Sequence, residues 1–436
     1  MSDYLFMLEN HLSTDQNRVV AEVQNAAALQ NFSLFLAGGA MRDMLGGFQI
    51  RDLDFVVEGN ALKLAKALTT KAGAKVISTD ERRHTMELVF PNGVRAEVGM
   101  ARSEKYGKPG APPQVTPGTI QEDLRRRDFA INAIALSLNR ASRGLLLDPM
   151  NGLADLGRKE IHTLYSGAFY DIPSRLLRLL RLKLRLGYAV EEKTQMQYQN
   201  AREAKMESHI PRRLLFEELQ SIATEPNPSE VVRLLEQEGL FALFSPALTG
   251  AKLNLPGLQK LEKARRLLPQ DGTSIAMNWG PFVHVLTEKL SARDKQNLIK
   301  QTEMRKAEAD AWQKLPARAK KLEAALRSPR LKKPSQVFDV ISKAAADELL
   351  FLLYHSQVRL IQDRIKNYVQ KYLPLSQEIT DAEVEAKGVA PGTPKFHKLK
   401  EEMVAARLDG RTKKPAPPPV EAPAPVLAGQ RGRAVR

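Results

Sequence analysis

The sequence predicts an α/β head followed by an all-α remainder, in an elongated, multi-domain chain. Apolar runs of strand length crowd the first third: LFLA at 34–37, LDFVV at 53–57, AKVIS at 74–78, MELVF at 86–90 and VRAEV at 94–98. Such runs, alternating with helical stretches, mark a mixed α/β unit. From about residue 158 onward the pattern turns helical, rich in Leu, Arg, Lys, Glu and Ala and broken by Pro211, Pro226, Pro256 and Pro334. A length of 436 residues also exceeds the roughly 100–200 residues of one ordinary domain. We therefore place a head at 1–157, a helical neck at 158–250 and a helical body and tail at 251–412. A Pro- and Ala-rich basic segment at 413–436 has almost nothing to bury and is expected to be disordered. No repeat of fixed period appears, which argues against a solenoid.

Composition narrows the function classes. Lys and Arg total 66 against 50 Asp and Glu, for a net charge of +16 and a pI near 9.8. That balance favours a polyanionic partner, with a merely basic soluble surface as the plain alternative. The absence of cysteine excludes disulfides and thiolate metal sites, leaving carboxylates and histidines as metal ligands. No apolar run approaches the roughly 18–20 residues that span a bilayer. The opening MSDYLFMLENHLSTD has no basic segment of the kind that begins a secretory signal. A soluble, cytoplasmic protein is expected, with no membrane partner.

Taken in order, LFLA leads into Gly38-Gly39 and then the helix-like AMRDML: a strand, a turn and a helix. Glycines let the backbone approach a phosphate, and the N–H groups opening the following helix favour an anion, with Arg42 one turn in. An isolated glycine pair is equally a plain tight turn. In RDLDFVV, a strand sets Asp52 and Asp54 on one face and Leu53, Phe55 and Val57 on the other. Two adjacent carboxylates raise each other's pKa unless a cation lies between them, which suits a divalent ion, most naturally magnesium. The plain alternative is a solvated pair at a strand edge. Lying just downstream of the glycine turn, the pair favours phosphate chemistry. VRAEV offers a third acid, Glu97, facing away from Val94, Ala96 and Val98, as two-metal phosphoryl transfer asks; otherwise it is a solvated strand residue.

These residues also carry a resemblance. LAGGAMRD followed by RDLDFVV resembles the head of the tRNA nucleotidyltransferase and poly(A) polymerase family, in its bacterial-type class II. QEDLRRRDFAINAIAL at 121–136 looks like that family's Arg-Arg-Asp segment, and DPMNGLADL at 148–156 like the segment after it. PSRLLRLLRLKLRLGY at 173–188 is similar to its base-reading helix, and GVAPGTPKFHKLKEEMVAARLDG at 388–410 to its C-terminal RNA-contacting segment. Residues 250–370 are the least marked.

The resemblance implies a head, neck, body and tail, and a reaction in which an RNA 3′-hydroxyl attacks the α-phosphate of a nucleoside triphosphate without a template. Pyrophosphate is released, and two Mg2+ ions are used. On this chain it implies Asp52 and Asp54 as metal-holding catalytic residues, with Glu97 as a third catalytic acid. Gly38, Gly39 and Arg42 would steady the triphosphate. In the Arg126-Arg127-Asp128 segment, Arg127, Asp128 and Asn132 would contact sugar or triphosphate, with Asn132 a turn after Asp128 on the same helix face. Arg175, Arg178 and Arg181 would share a helix face toward triphosphate and base. Arg102 and Tyr106, in ARSEKYG, match the segment after the third acid, where Arg102 would touch phosphate. The implied partners are tRNA or another RNA 3′ end, ATP, and CTP; oligomeric state is not legible.

One position departs from the family. Its helix begins Glu-Asp-x-x-Arg, with the Asp and Arg reading the base edge, whereas here Asp171-Ile172-Pro173-Ser174-Arg175 puts Ile172 at the Asp position. An isoleucine accepts no hydrogen bond. Asp171 is placed to cap the helix ahead of Pro173. The leading expectation is tRNA CCA addition, complete or partial, with Ile172 pointing to a narrowed preference such as CC alone, A alone or a run of A. Poly(A) addition is the alternative within this chemistry, and non-catalytic RNA binding the alternative of another class. Near the C-terminus, a helix from about Lys395 to Arg407 is expected to meet an RNA phosphate at its start, with Lys395 and Lys398.

Overall fold

A computed structural model of the chain describes residues 3–268 and 279–410, so the basic segment expected at 413–436 lies outside the described residues. The chain divides into two compact units: residues up to Arg327 together with Lys343–Lys366, and Ser328–Ser342 together with the residues from Asn367 on. Among the described residues, no helix is long and apolar enough to cross a membrane.

The first unit opens on helices α1 (Asp3–His11) and α2 (Thr14–Ala28), the latter started by a capping box in which Ser13 and Gln16 satisfy each other's backbone N–H. A seven-stranded mixed sheet follows, of β1 (Ser33–Ala37), β2 (Leu53–Glu58), β3 (Lys75–Asp80), β4 (Thr85–Val89), β5 (Arg95–Met100), β8 (Ala135–Ser137) and β9 (Leu146–Leu147). Its order is β3-β4-β5-β2-β1-β8-β9, antiparallel except where β2 runs parallel to β5. Strands β6 (Arg102–Lys105) and β7 (Gln114–Pro117) form a separate ribbon. All five strand runs expected from the sequence are present; β1, β2, β4 and β5 bury their apolar residues, while β3 is an exposed edge strand with Val76 and Ile77 open to solvent.

Helix α4 (Ala61–Lys71) buries Ala61, Leu64, Ala65 and Leu68, a single 3.6-period stripe, against β4 and β5. On the opposite face Phe35, Ala37 and Val56 pack with Ile120 and Leu124 of α5 (Ile120–Arg125). The short α3 (Gly39–Leu45) links β1 to β2. After β9 come α6 (Gly152–Arg158), α7 (Ala168–Asp171), α8 (Arg175–Leu186), α9 (Glu192–Glu203) and α10 (Arg212–Thr224), and further helices complete the unit.

Asp155 of α6 is fully buried and accepts from Arg158 Nη2 at 2.5 Å and from His162 Nδ1. That hydrogen bond, outweighing burial, raises the His162 pKa above its usual 6.5. Folding therefore favours protonated His162, so its contribution is fully present below 6.5 and disappears as pH rises through the higher folded-state value. Thermal melts of the protein are expected to lose stability as the pH rises above about 6.5, relative to melts of His162→Gln. Parallel profiles for the two would contradict this.

In the second unit, Ile379, Val384, Phe396, Val404 and Leu408 form a small core, with Phe338 and Tyr372 packed against it. The helix expected near 395–407 spans Pro394–Leu408, and Thr393 Oγ1 caps it by accepting the Phe396 N–H at 3.2 Å.

Candidate active site

Strand register builds the centre of the site. Asp54 on β2 pairs with Ala37 on β1 on one side and with Glu97 on β5 on the other. Side chains at paired positions project to the same face, so the two carboxylates stand side by side, directly beyond the turn that ends β1. That turn is Gly38, at φ 71° and ψ −129°, a conformation that glycine alone adopts without strain. A Cβ there would come within 2.6 Å of Arg127 Nη1 and 3.0 Å of Asp54 Oδ2. The neighbouring Gly39 opens α3, has ordinary room for a Cβ, and donates its N–H to Asp54 Oδ2 at 3.4 Å. Gly38→Ala is thus expected to cost about 1–3 kcal/mol of stability and to displace Arg127, while Gly39→Ala stays near wild type. Denaturation curves and nucleotide KM values compare the two, and equal damage from both substitutions would refute the assignment.

Asp52 lies one residue before the strand rather than within it, a difference from the expectation of two acids on one strand face. The ladder on the β1 side ends at Ala37 opposite Asp54, because the chain turns away at Gly38, so no β1 residue remains for Asp52 to pair with. Burial and the nearby Asp54 charge push the Asp52 pKa up to about 6. Burial and the same charge push Glu97 up to about 7, and burial raises Asp54 as well, against the pull of Arg127 and the Gly39 N–H. Among the described residues no cation lies within ion-pair distance of these three, nor do three or more acids and histidines stand together as a ready-made metal cage. Crowded, desolvated carboxylates without a cationic partner are a donor set that a hard divalent ion fits.

A cavity of about 380 Å³ lies over Asp54 and Glu97. Gly38, Gly39, Arg127, Asp128, Asn132, Arg175 and Arg178 also line it, as does Ile172. Asp52, Arg42 and Arg181, singled out from sequence, are not among its lining residues. Arg42 is buried, with its Nε and Nη2 on Asp43 at 2.8 and 2.7 Å and its Nη1 on Asn132 Oδ1 at 2.8 Å. It braces the back of the turn. Arg181 turns to α10, its Nε 3.1 Å from Glu218 and its Nη1 2.9 Å from Glu225. Successive arginines of α8 rotate about the axis, and Arg175 and Arg178 alone of the three reach the cavity.

The Arg-Arg-Asp segment differs from its expected form. Helix α5 starts with a Thr119–Glu122 capping box and ends at Arg125, so Asp128 and Asn132 do not share a helix face. Residues 128–138 are buried without interruption, and a buried polar pair must satisfy itself. Asn132 Nδ2 accordingly donates to Asp128 Oδ1 at 2.9 Å, and Asp128 also takes the Phe129 N–H at 2.8 Å and Arg178 Nε at 2.8 Å. Burial works to raise the Asp128 pKa, but Arg178, Arg175 and these hydrogen bonds overcome it and hold the group at about 2.

Arg175 gives Nη2 to the Arg126 carbonyl at 2.7 Å and Nη1 to the Tyr165 hydroxyl at 2.9 Å, which leaves Arg178 the freer guanidinium of the pair. Asp171 does not cap α8 as expected; it ends α7, and Ser174 holds the cap position with no side-chain hydrogen bond.

Sequence reasoning missed Asp123 and Glu104, buried acids on the cavity wall. Asp123 binds Arg126 and Arg127, and their spacing of three and four residues on a helix was the available signal. Glu104 alternates with Arg102 on one strand face, and Arg102 Nε meets it at 2.8 Å.

Comparison with known proteins shows what the chain is similar to. Residues 34–162 match the poly A polymerase head domain. The chain is 41% identical over 194 residues to an A-adding tRNA nucleotidyltransferase of Halalkalibacterium halodurans, covering 44% of this chain and 45% of that one. It is 36% identical over 229 residues to a CC-adding tRNA nucleotidyltransferase of Deinococcus radiodurans, covering 52% of this chain and 57% of the other. The chain thus spans about half the length of the curated relatives it matches. A solved CCA-adding enzyme in an apo form shares the fold at TM-score 0.53 and 24% identity, over 94% of this chain and 96% of that one.

Proposed function

Because the chain carries a poly A polymerase head domain over residues 34–162 and is a relative of A-adding and CC-adding tRNA nucleotidyltransferases, we propose that it adds nucleotides without a template to the 3′ end of tRNA. The observation that carries this reading is the register that sets Asp54 beside Glu97 at the mouth of the Gly38 turn, under a wall of arginines. The terminal hydroxyl oxygen of the RNA bonds to the α-phosphorus of ATP or CTP, the bond from that phosphorus to the β-phosphate oxygen breaks, and pyrophosphate leaves. The hydroxyl proton passes to solvent.

Asp54 and Glu97, with Asp52 close behind, would hold magnesium. Bound there, the ions lower the pKa of the hydroxyl and neutralise charge on the phosphates. Charge balance supports two of them: six arginines and six carboxylates line the cavity. Two divalent ions would then offset the roughly four negative charges of a fully ionised triphosphate. Gly38 lets the triphosphate approach the backbone, Arg126 and Arg127 face its phosphates, and Asp128 with Asn132 holds Arg178 toward the sugar and base. Within this reading, residues 1–157 are the catalytic head, while 158–250 and 251–412 are the helical neck, body and tail that hold RNA. A tRNA substrate implies a cytoplasmic location.

Ile172 on the cavity wall removes a base acceptor, and the relatives are named as A-adding and CC-adding tRNA nucleotidyltransferases. Both favour partial addition over complete CCA. End-labelled tRNAs ending before CCA, or after CC, incubated with Mg2+ and each nucleotide separately, test this. A short product made from one nucleotide type is expected. Ordered CCA addition would overturn the partial reading, a long ladder would indicate poly(A) addition, and no product would leave a non-catalytic RNA binder.

A further inference from the structure

Four arginines of the cavity wall, Arg83, Arg102, Arg126 and Arg127, are held by two buried acids that share Arg126. Asp123 takes Arg126 Nη2 at 2.5 Å and Arg127 Nη2 at 3.0 Å. Glu104 takes Arg102 Nε at 2.8 Å, Arg126 Nη1 at 3.5 Å and Arg83 Nε at 3.7 Å, while its second oxygen accepts the Tyr106 hydroxyl. These partners come from separate places: Arg83 from the turn between β3 and β4, Arg102 and Tyr106 from β6 and its end, and Arg126 from the end of α5. Together with Glu104 they line the cavity that contains Asp54 and Glu97.

The Glu104 side chain is 3% exposed, so water cannot substitute for these partners. Arg102 and Arg126 are 8% and 19% exposed and Arg83 34%, and three guanidinium groups brought so close repel one another unless they share an anion. Arg102 depends on it most, since among the described residues Glu104 is its one ion-pair partner. An isolated acid on this wall would repel a polyphosphate. Bound to three cations, its own charge is more than offset, although Arg126 and Arg83 are also paired with Asp123 and Asp80.

We propose that Glu104 is a positioning residue, gathering Arg83, Arg102 and Arg126 into a polyphosphate-binding wall for the incoming nucleotide. The proposal rests on reading the cavity as a triphosphate site. Glu104→Gln preserves size but removes the charge and turns an amide NH2 toward guanidinium donors. Tyr106→Phe, a milder change, deletes a single hydrogen bond to Glu104.

Calorimetry on the full chain with Mg2+ would measure binding of inorganic tripolyphosphate and, separately, of adenosine, alongside KM and kcat for nucleotide addition. Glu104→Gln is expected to weaken tripolyphosphate about tenfold and raise nucleotide KM about tenfold, with adenosine affinity and kcat nearly unchanged and Tm lowered by the loss of the buried charge. Tyr106→Phe is expected to shift the same two quantities by about twofold to threefold. Unaltered tripolyphosphate binding in Glu104→Gln, or equal losses of adenosine and tripolyphosphate, overturns the proposal. Should Glu104→Gln fail to fold, Tyr106→Phe decides: the same selective shift supports the proposal and wild-type binding overturns it. A wild-type chain that binds no tripolyphosphate would instead defeat the triphosphate reading of the cavity, and this inference with it.

Discussion

Asp54→Ala is expected to reduce extension of an end-labelled RNA by at least about three orders of magnitude, while RNA affinity stays near that of the wild-type chain. Asp54 sits where the register, the glycine turn and the cavity coincide, between Ala37 and Glu97 and against the Gly39 N–H. No other described carboxylate holds that position, so on the proposed reading its loss removes the acid that would hold a metal beside the reacting phosphate. On the same reading RNA affinity would come from phosphate contacts spread over basic surface, which one acid does not control.

Stability should move the other way. Burial raises the Asp54 pKa, and the Asp54 charge in turn helps push Glu97 to about 7 and Asp52 to about 6. An acid whose folded pKa is raised adds stability only below its unfolded value and loses that contribution as pH rises through the folded one. At neutral pH without metal the ionised cluster therefore opposes folding, and Asp54→Ala should melt at or above the wild-type temperature. In the wild type, added Mg2+ should raise Tm, and in Asp54→Ala it should do so far less. An active Asp54→Ala enzyme, within about tenfold of wild type, would sink the catalytic assignment.

Arg181→Ala is expected to destabilise the first unit by about 3–5 kcal/mol, the cost of removing one partner from a buried ion pair. Arg181 and Glu225 are 9% and 2% exposed and Glu218 is 11% exposed, so the two carboxylates left behind would be neither solvated nor paired as before. Burial alone would lower the Arg181 pKa, and the two glutamates overcome it, raising it above the ordinary arginine value. Glu225 also meets Arg51 Nη1 at 3.6 Å, next to Asp52, so activity should decline along with stability. A nucleotide-binding arginine would behave differently, with KM rising and denaturation unchanged. Urea unfolding of the full chain with nucleotide kinetics separates the two, and a loss below about 1 kcal/mol contradicts the structural role. Arg181→Met combined with Glu218→Gln and Glu225→Gln should recover much of the lost stability, because it removes the stranded charges.

These two residues show how far the sequence reached. Strands β1 to β5 were legible because apolar runs of four to six residues have few other uses, and Asp54 and Glu97 were legible because strand alternation assigns a face to each side chain. Asp128 and Asn132 were found, but on the wrong scaffold: helical spacing between them is real, while the segment is buried throughout and closes on itself through a hydrogen bond instead. Arg178 and Arg181 read alike in the sequence, three residues apart in one repeating pattern.

Local pattern thus determined the α/β head, the helical remainder, the glycine turn and the acidic chemistry, since each depends on periods of two or 3.6 residues and on the steric freedom of glycine. Tertiary structure decided which charges line the cavity. Arg42 and Arg181 went to buried partners, Asp52 fell just outside the strand, and Glu104 and Asp123 were drawn into the wall. A buried charge takes its role from whichever opposite charge the packing brings within about 4 Å, and for Arg181 those partners, Glu218 and Glu225, lie tens of residues away in the chain.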